Sequence, residues 1–279
     1  MPDVTEADDR GAREALGALD GVLAGIAGAV VAVSGGVDSA VVLAAAVRVV
    51  PRVVAATGTS VAYAARDLEQ ARTLAGRLGV AHVAVPTRET TDPRYAVNSP
   101  QRCLHCKHEL YGKLEEVARE RGLDTILDGT HRGDLGDFRP GLEAARRLGV
   151  RSPLREAGLD KPQVRAVARL LGLEVWDRPA SPCLASRFPY GEAITPEKLG
   201  MVDRAEQVLR ELGFSELRVR HHGNVARLEV PPLDMPRLVE LAGEVVPALK
   251  QLGYAYVAMD LQGFRSGSLN EVLPVRPAG

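Results

Sequence analysis

Three cysteines carry the most specific chemistry in this chain. Cys103 and Cys106 lie in the segment RCLHCKHE, and Cys183 lies far downstream in SPCLASRFPYG. A C-x-x-C pair serves a zinc site, a redox disulfide or an iron–sulfur cluster, so the pair alone does not decide among them. An odd count of three thiols argues against a disulfide framework. The sequence therefore predicts thiols that are free, metal-bound or catalytic.

A glycine-rich segment, Ser34-Gly35-Gly36-Val37-Asp38-Ser39, has the composition of an anion-binding loop. Its glycines let the backbone approach a ligand closely, and free N–H groups at a helix start attract an anion. The Ser34 and Ser39 hydroxyls add donors. The Asp38 carboxylate would repel a bare phosphate, so we expect it to hold Mg²⁺ or to position a metal-bound water. The alternative is a strand-to-helix turn that binds no ligand.

An arginine pair lies in the segment LRVRHHGNVARLEV. Arg218 and Arg220 are two residues apart, so on a strand they share one face. Two guanidinium groups on one face can bind a phosphate as a fork. The alternative is the solvated face of a hairpin. We place His221 and His222 in the hairpin turn and not in a metal site.

Strands and helices alternate around these motifs. Short β-branched runs predict strands, and longer amphipathic or alanine-rich segments predict helices. The predicted strands are 29–33, 52–58, 82–87 and 124–130, and the predicted helices are 12–27, 37–50, 65–79, 108–122 and 160–172. This order predicts an α/β fold with a parallel sheet covered by helices on both faces.

A second, smaller domain is predicted after a segment that holds three prolines, residues 179–189. The pattern beyond it gives a helix at 195–214 with a threonine cap, a hairpin, a helix at about 235–252 and a last strand at 254–261. We therefore predict a nucleotide-binding domain over residues 1–190 and a smaller α+β domain over residues 191–279.

Composition and charge limit the classes of function. The chain has 279 residues and a net charge of −1, which gives no field for non-specific nucleic-acid binding. No apolar run is long enough for a membrane span, and the acidic N-terminus has no signal core. We expect a cytoplasmic protein with no nucleic-acid and no membrane partner.

The loop resembles the S-G-G-x-D-S pyrophosphate-binding loop of the PP-loop ATP pyrophosphatases, and differs from the Walker and Rossmann phosphate loops. Four further stretches resemble the LarE family of ATP-dependent sacrificial sulfur transferases. They are NSPQRCLHCKHELY, DGTHRGDLGDFRPGLEAA, SPCLASRFPYGEAIT and MDLQGFRSGSLNE. Together with the loop they span nearly the whole chain in order, so this resemblance is far more specific than the loop alone.

The resemblance implies an enzyme that uses ATP and Mg²⁺ to adenylate the carboxylates of pyridinium-3,5-biscarboxylic acid mononucleotide. Sulfur then replaces oxygen, which gives thiocarboxylates on the way to the nickel-pincer nucleotide cofactor. A carboxylate has no good leaving group until adenylation supplies AMP, and the loop stabilises the departing pyrophosphate. The acceptor is a small-molecule nucleotide, the sulfur comes from a sulfide donor, and we expect a homo-oligomer.

Site residues follow from the resemblance and from the residue types. Cys183, Asp38 and Arg187 are the candidate catalytic residues. The candidate residues for ATP binding are Ser34, Gly35, Gly36, Val37, Asp38, Ser39, Ser60, Gly129 and Thr130. Arg218 and Arg220 are the candidates for the substrate phosphate. The resemblance places Glu206 nearby, where we expect it to order those arginines. A buried apolar role for Cys183 and a surface position for Arg187 are the alternatives.

The resemblance also bears on the cysteines. Single-cysteine relatives keep only the position of Cys183, which gives up its own sulfur, whereas three-cysteine relatives share the R-C-x-x-C-K segment and hold a [4Fe–4S] cluster. We therefore predict that Cys103, Cys106 and Cys183 bind such a cluster. Zinc, with His105 or His108 as a fourth ligand, is the alternative, and a thioredoxin-type pair is another.

Two departures from the family pattern bear on the ATP contacts. His131 and Gly133 stand in DGTHRGD where the family has Asn and Asp, which leaves only Asp128, Gly129 and Thr130 assigned there. The segment TGTSVAYAARD also differs from the family version, so Ser60 is the single adenine candidate.

The rival functions are a tRNA thiolase of the same superfamily and a nucleotide-binding module without catalysis. A tRNA thiolase would need a basic, aromatic surface, and mere binding would not need Asp38.

Overall fold

The computed structural model describes residues 6–136, 140–179, 182–265 and 267–273. Parts of three motif segments, residues 137–139, Ser181 and Ser266, lie outside the described residues. The chain divides into two compact units. The first comprises Met1–Tyr95 and Pro100–Ser181, and the second comprises Ala96–Ser99 and Pro182–Gly279. The boundary between independent domains near residue 190 stays a prediction. Cys183, which lies before that boundary, belongs to the second compact unit.

The first unit is built on a parallel sheet in the order β3-β2-β1-β4. Its strands are β1 (Ala29–Ala32), β2 (Val53–Thr59), β3 (Ala81–Pro86) and β4 (Thr125–Leu127). Its helices are α1 (Glu6–Leu23), α2 (Val37–Val49), α3 (Ala65–Arg77), α4 (Pro93–Ala96), α5 (Arg102–Arg121), α6 (Gly141–Arg147), α7 (Pro153–Glu156) and α8 (Lys161–Leu170). The predicted α/β class is confirmed.

Helices cover both faces of this sheet. One apolar core lies between the sheet and α1, α2, α3 and α8, and a second lies between the sheet and α5 with α6. Burial on both faces explains why β1 reads as a continuous run of alanine and valine. Parallel strands bring their carboxyl ends to one edge, where ligands bind in open α/β sheets. The residues that follow β1, β2 and β4 therefore meet at this edge.

The second unit is a three-stranded sheet with helices on one face. Its helices are α9 (Pro196–Glu211), α10 (Met235–Glu240) and α11 (Ala242–Gln251), and its strands are β5 (Arg218–His222), β6 (Val225–Glu229) and β7 (Tyr256–Met259). β5 pairs with β6 in antiparallel register, and β6 pairs with β7 in parallel register. Val219, Ala226 and Leu228 face the core with α9 and α11. No helix among the described residues is long and apolar enough to cross a membrane.

Several predicted element boundaries were wrong. Helix α5 begins at Arg102 and not at residue 108, so both cysteines of the pair lie on the helix. The start was missed because Gln101 makes no side-chain cap. The predicted helix over 235–252 is two helices that meet at Leu241, and Pro247 lies inside the second of them. His221 and His222 are the last residues of β5 and not part of the turn.

Candidate functional site

The loop between β1 and α2 leaves a run of backbone donors without acceptors. In the part of the chain that the structure describes, no N–H group of residues 35–39 donates a hydrogen bond, and Ala40 is the first to do so, to Gly36 O at 3.1 Å. The Ser39 hydroxyl holds the loop closed, since it accepts from Ser34 N at 3.1 Å and donates to Gly36 O at 3.1 Å. Such neighbouring donors at a helix start favour an anion.

Asp38 projects from the first turn of α2 and faces a lysine. Lys161 Nζ lies 2.8 Å from one Asp38 carboxylate oxygen and 2.6 Å from the other. Lys161 is the first residue of α8, directly after Asp160, which forms a capping box with Gln163. A carboxylate and an ammonium therefore lie beside the free amides of the loop, and both groups can act on a polyphosphate or its cation.

Gly129 packs directly against the start of α2. A Cβ atom at Gly129 would lie 2.8 Å from Ser39 N and 3.0 Å from the Asp38 carbonyl carbon. These neighbours are backbone atoms, so a side chain there would push the end of β4 away from the loop. Gly129 thus lets two segments of the sheet edge come together.

Asp128 organises the residues after β4. Its carboxylate accepts hydrogen bonds from Thr130 N at 3.1 Å, Thr130 Oγ1 at 2.9 Å and Tyr111 Oη at 2.8 Å. Burial raises the pKa of Tyr111 well above its usual value, so the phenol keeps its proton and acts as the donor. The predicted ATP residue Thr130 is therefore held through Asp128, and its hydroxyl is engaged with that carboxylate.

Ser60 follows β2 at the same sheet edge. Its hydroxyl donates to the Glu89 carboxylate and accepts from Ala62 N at 3.1 Å. Glu89 is only 1% exposed. The structure thus gives Ser60 a protein partner that the sequence did not indicate.

The cysteine pair lies on the first two turns of α5. Cys103 is exposed, and Cys106 Sγ lies 3.2 Å from Tyr63 Oη. The Lys107 ammonium lies 5.2 Å from the centre of the Tyr111 ring. Within the described ranges, no three His, Cys, Asp or Glu side chains form a group that could hold a metal ion.

Arg187 holds the segment that contains Cys183. Its guanidinium forms two hydrogen bonds to Glu206, at 2.6 and 3.0 Å, and also donates to the carbonyl oxygens of Pro182 at 2.8 Å and Cys183 at 3.3 Å. Arg187 is 2% exposed, so a surface arginine is excluded. Burial raises the pKa of Glu206, but Arg187 and Arg210 outweigh it and hold the pKa at about 2.

Arg220 is paired with a carboxylate that the sequence did not single out. It donates to Glu229 at 2.9 and 3.0 Å, to Ser186 O at 2.7 Å and to Ser268 Oγ at 2.7 Å. We expected Glu206 to order the arginine pair, but Glu206 bonds to Arg187 and Arg210, while Glu229 orders Arg220. The reason lies in the sheet, since Glu229 on β6 is the register partner of Arg218 and lies on the arginine face.

Arg218 differs from its neighbour because no carboxylate binds it. Both arginines share a face of β5 and are buried, at 6% and 5% exposure, so the solvated hairpin face is excluded. Among the described residues, Arg218 makes no hydrogen bond or ion pair, and its guanidinium lies 4.9 Å from the centre of the Phe264 ring. Burial, then Arg187 and Arg220, lowers the pKa of Arg218 to about 10. An anion bound here would relieve this repulsion.

Sequence reasoning missed two charged residues of these sites, Lys161 and Glu229. A lysine in the first turn of a capped helix is unfavourable for the helix dipole, so its position was a usable signal for a nearby carboxylate. Glu229 carried no such signal, because its pairing with Arg220 depends on strand register. The structure places the loop, Ser60, Gly129 and Thr130 at one sheet edge, and groups Cys183, Arg187, Glu206, Arg218 and Arg220 in the second unit.

Comparisons with known proteins agree with this arrangement. The sequence model of the NAD synthase family matches residues 22–121, which include the loop. A parallel sheet with a glycine-rich loop after its first strand, in a chain that matches this family, defines the PP-loop class of ATP-using enzymes.

Relatives define the family more closely. The pyridinium-3,5-bisthiocarboxylic acid mononucleotide synthase of Lactiplantibacillus plantarum is 38% identical over 87% of this chain and 89% of its own length. An uncharacterized protein of Synechocystis sp. is 45% identical over 88% of this chain and 92% of its own. A tRNA-specific 2-thiouridylase of Beijerinckia indica is 30% identical over 59% of this chain and 48% of its own. The chain belongs to the LarE family of ATP-dependent sulfur transferases.

Proposed function

We propose that this enzyme adenylates the carboxylates of pyridinium-3,5-biscarboxylic acid mononucleotide and converts them to thiocarboxylates. The product serves the synthesis of the nickel-pincer nucleotide cofactor. The observation that carries the proposal is the 38% identity to the bisthiocarboxylate synthase over 87% of the chain. The free amides of the loop support the ATP chemistry, and the buried arginines support a phosphorylated acceptor.

Adenylation is the first step. A carboxylate oxygen of the substrate attacks the α-phosphorus of ATP, the bond from that phosphorus to the bridging oxygen breaks, and pyrophosphate leaves with the electron pair. The amides of residues 35–39 and the Lys161 ammonium would bind the departing negative charge. The Asp38 carboxylate suits Mg²⁺, which when bound would neutralise the phosphate oxygens.

Sulfur transfer is the second step. Hydrosulfide from the sulfide donor attacks the acyl carbon, the carbon–oxygen bond to AMP breaks, and AMP leaves. One oxygen has then been exchanged for one sulfur at the expense of one ATP. We assign Cys183 to this step, since Arg187 fixes the carbonyls of Pro182 and Cys183 and so holds the backbone on which the thiol sits.

The three cysteines bear on the source of the sulfur. The donor set fits an iron–sulfur cluster in its chemistry, since thiolates are the usual ligands of such clusters. Cys103 and Cys106 have the i, i+3 spacing that brings two thiols to one helix face. Cys103, Cys106 and Cys183 would hold a [4Fe–4S] cluster, which when bound would supply an iron without a protein ligand for hydrosulfide.

Arg218 is the proposed ligand of the substrate phosphate. It is a buried cation without a carboxylate partner among the described residues, whereas Arg220 is neutralised by Glu229. A phosphate bound at Arg218 would gain a charge-assisted hydrogen bond in a desolvated site. Glu206 orients Arg187 and lies against the same strand, since it accepts from Val219 N at 3.3 Å.

A tRNA thiolase is not favoured, because the thiouridylase match covers 59% of this chain and 48% of that relative. The proposal also includes four further features of the enzyme: an adenine contact in the Ser60 region, a sulfide donor, a homo-oligomeric assembly and a cytoplasmic location.

The test is a turnover assay with ATP, Mg²⁺, a sulfide source and the pyridinium substrate under anaerobic conditions. We expect a product whose mass corresponds to exchange of oxygen for sulfur at a carboxylate. Thiolation of unmodified tRNA, with no thiolated product from the pyridinium substrate, would overturn the substrate assignment.

Metal analysis of the same protein tests the sulfur source. We expect iron and acid-labile sulfide after anaerobic reconstitution, and loss of both in each of C103A, C106A and C183A. Stoichiometric zinc would contradict the cluster, and loss of H₂S from Cys183 after one turnover would establish a sacrificial thiol instead.

A further inference from the structure

The Gly35–Gly36 peptide of the phosphate loop has a side-chain partner outside the loop. Arg178 NH1 donates a hydrogen bond to Gly35 O at 3.3 Å. Arg178 lies in the segment after α8 and is not part of the loop motif. A guanidinium that binds a loop carbonyl fixes a peptide plane, so it bears on the donors of that loop.

Peptide geometry gives the consequence of this contact. In a planar trans peptide, the C=O of one residue and the N–H of the next point in opposite directions. With its carbonyl oxygen turned toward Arg178, the Gly35–Gly36 peptide turns the Gly36 N–H away from Arg178. This N–H has no acceptor among the described residues. A cation on the carbonyl also polarises the peptide, which makes the N–H a stronger donor.

Arg178 is itself held on both sides. Its NH2 group donates to Asp67 Oδ1 at 3.4 Å, and its carbonyl accepts from Arg165 NH2 at 3.1 Å. The Asp67 backbone also packs on the loop, since a Cβ atom at Gly35 would lie 2.7 Å from Asp67 O. Gly35 has a φ of 76°, which favours glycine. The first turn of α3 and Arg178 thus clamp Gly35 in one orientation.

We infer that Arg178 is a positioning residue for pyrophosphate: it sets the direction of the Gly36 N–H through the Gly35 carbonyl. The inference rests on the proposed function only in that the loop binds the phosphates of ATP. Arg178 need not touch the ligand, and its effect is confined to the phosphate part of the nucleotide. AMP has no β- or γ-phosphate and so does not contact the loop donors that bind these groups. The affinity for AMP should therefore not depend on Arg178.

The experiment compares the binding of magnesium pyrophosphate and of AMP by calorimetry in the full-length protein. R178M keeps the length of the side chain and removes its donors, and R178K keeps a cation. R72M is the matched control, since Arg72 lies on α3 and makes an exposed ion pair with Glu69. We expect R178M to raise the dissociation constant of pyrophosphate about tenfold, with AMP affinity unchanged. R178K should recover part of this loss, and R72M should bind both ligands like the wild type.

The outcomes separate this inference from the proposed function. Unchanged pyrophosphate affinity in R178M would overturn the positioning role. An equal loss of pyrophosphate and AMP affinity, together with a lower melting temperature, would overturn it as well, since that indicates a general loosening of the fold. A wild-type protein that binds neither pyrophosphate nor ATP would overturn the proposed function, and the loop argument with it.

Discussion

Two regions of this protein are suited to anions, and they are built in opposite ways. The loop after β1 offers backbone N–H groups, which carry no net charge and are set by chain conformation. The second unit offers side-chain cations, Arg187, Arg218 and Arg220, all buried on or beside β5. Backbone donors have no charge to desolvate, whereas buried guanidinium groups need carboxylates to be stable.

The carboxylates show how the second region is balanced. Glu206 neutralises Arg187, and Glu229 neutralises Arg220, which leaves Arg218 without a paired carboxylate among the described residues. A backbone site thus depends on glycines and helix starts, whereas a side-chain site depends on which charges the fold pairs. Substitutions in the loop region should therefore change ligand binding alone. Substitutions in the arginine region should change both ligand binding and the free energy of unfolding.

The largest effect is expected from R220A. This change leaves Glu229, which is 0% exposed, with Arg227 as its remaining arginine. Breaking a buried ion pair lowers the free energy of unfolding by about 3–5 kcal/mol. Because Arg227 still contacts Glu229, we expect a loss near the lower end, at about 3 kcal/mol. R218A removes a desolvated cation and unpairs no carboxylate, so we expect no loss of stability. Urea unfolding of both variants measures the difference.

The same two variants test the phosphate assignment. R218A should raise the dissociation constant of the pyridinium nucleotide by about tenfold to a hundredfold, which corresponds to about 1.5–3 kcal/mol, with ATP affinity nearly unchanged. Normal binding of the substrate by R218A would contradict the assignment. Equal loss of stability in both would contradict the asymmetry between the two arginines.

Asp38→Ala tests the loop region. The carboxylate acts where charge develops on the leaving group, so its loss should lower the rate of pyrophosphate release about a hundredfold or more. Stability should change little, because Asp38 and Lys161 are both partly exposed, at 28% and 31%. Stopped-flow detection of pyrophosphate measures the rate, and full activity in the variant would refute the role of Asp38.

Glu206 gives the second region a pH dependence. Its pKa is held at about 2, against an ordinary value of 4.5. A lowered carboxyl pKa contributes stability that is complete above the ordinary pKa and is lost as pH falls through the interval toward 2. The full interval corresponds to about 3 kcal/mol in the free energy of unfolding.

Unfolding of the wild type and E206Q between pH 6 and pH 3 isolates this contribution, because the other carboxylates cancel in the difference. We expect the difference between the two curves to narrow as pH falls below about 4.5. A difference that stays constant with pH would show that Glu206 does not titrate in this way.

The smallest effect comes from a pair of glycines in the first unit. Gly129→Ala places a Cβ atom 2.8 Å from Ser39 N, so we expect ATP affinity to fall about tenfold. Gly76→Ala is the matched control, because Gly76 lies in α3 with nothing within 4 Å of its Cβ position. That variant should gain about 0.5–1 kcal/mol of stability and bind ATP normally. Equal ATP affinity in the two variants would mean that Gly129 is not required for the loop.

The first region was largely predictable from the sequence and the second was not. Gly35, Asp38 and Ser39 lie within a run of five residues, so local chain geometry places them together at the start of α2. Glu229 and Arg220 are brought together by strand register, which a single sequence does not specify. The start of α5 was missed for a local reason, since no capping side chain marks it. The fold class followed from the alternation of strands and helices, while the break at Leu241 that splits the last helix was not predicted.

Adenylation of the carboxylate substrate is decided by the identity and stoichiometry of the nucleotide products. The purified enzyme is incubated with ATP and Mg²⁺, with and without the pyridinium biscarboxylate, and the products are separated by anion-exchange chromatography. We expect equal amounts of AMP and pyrophosphate, formed only when the carboxylate substrate is present. Formation of ADP and phosphate, or equal AMP formation without the substrate, would contradict it.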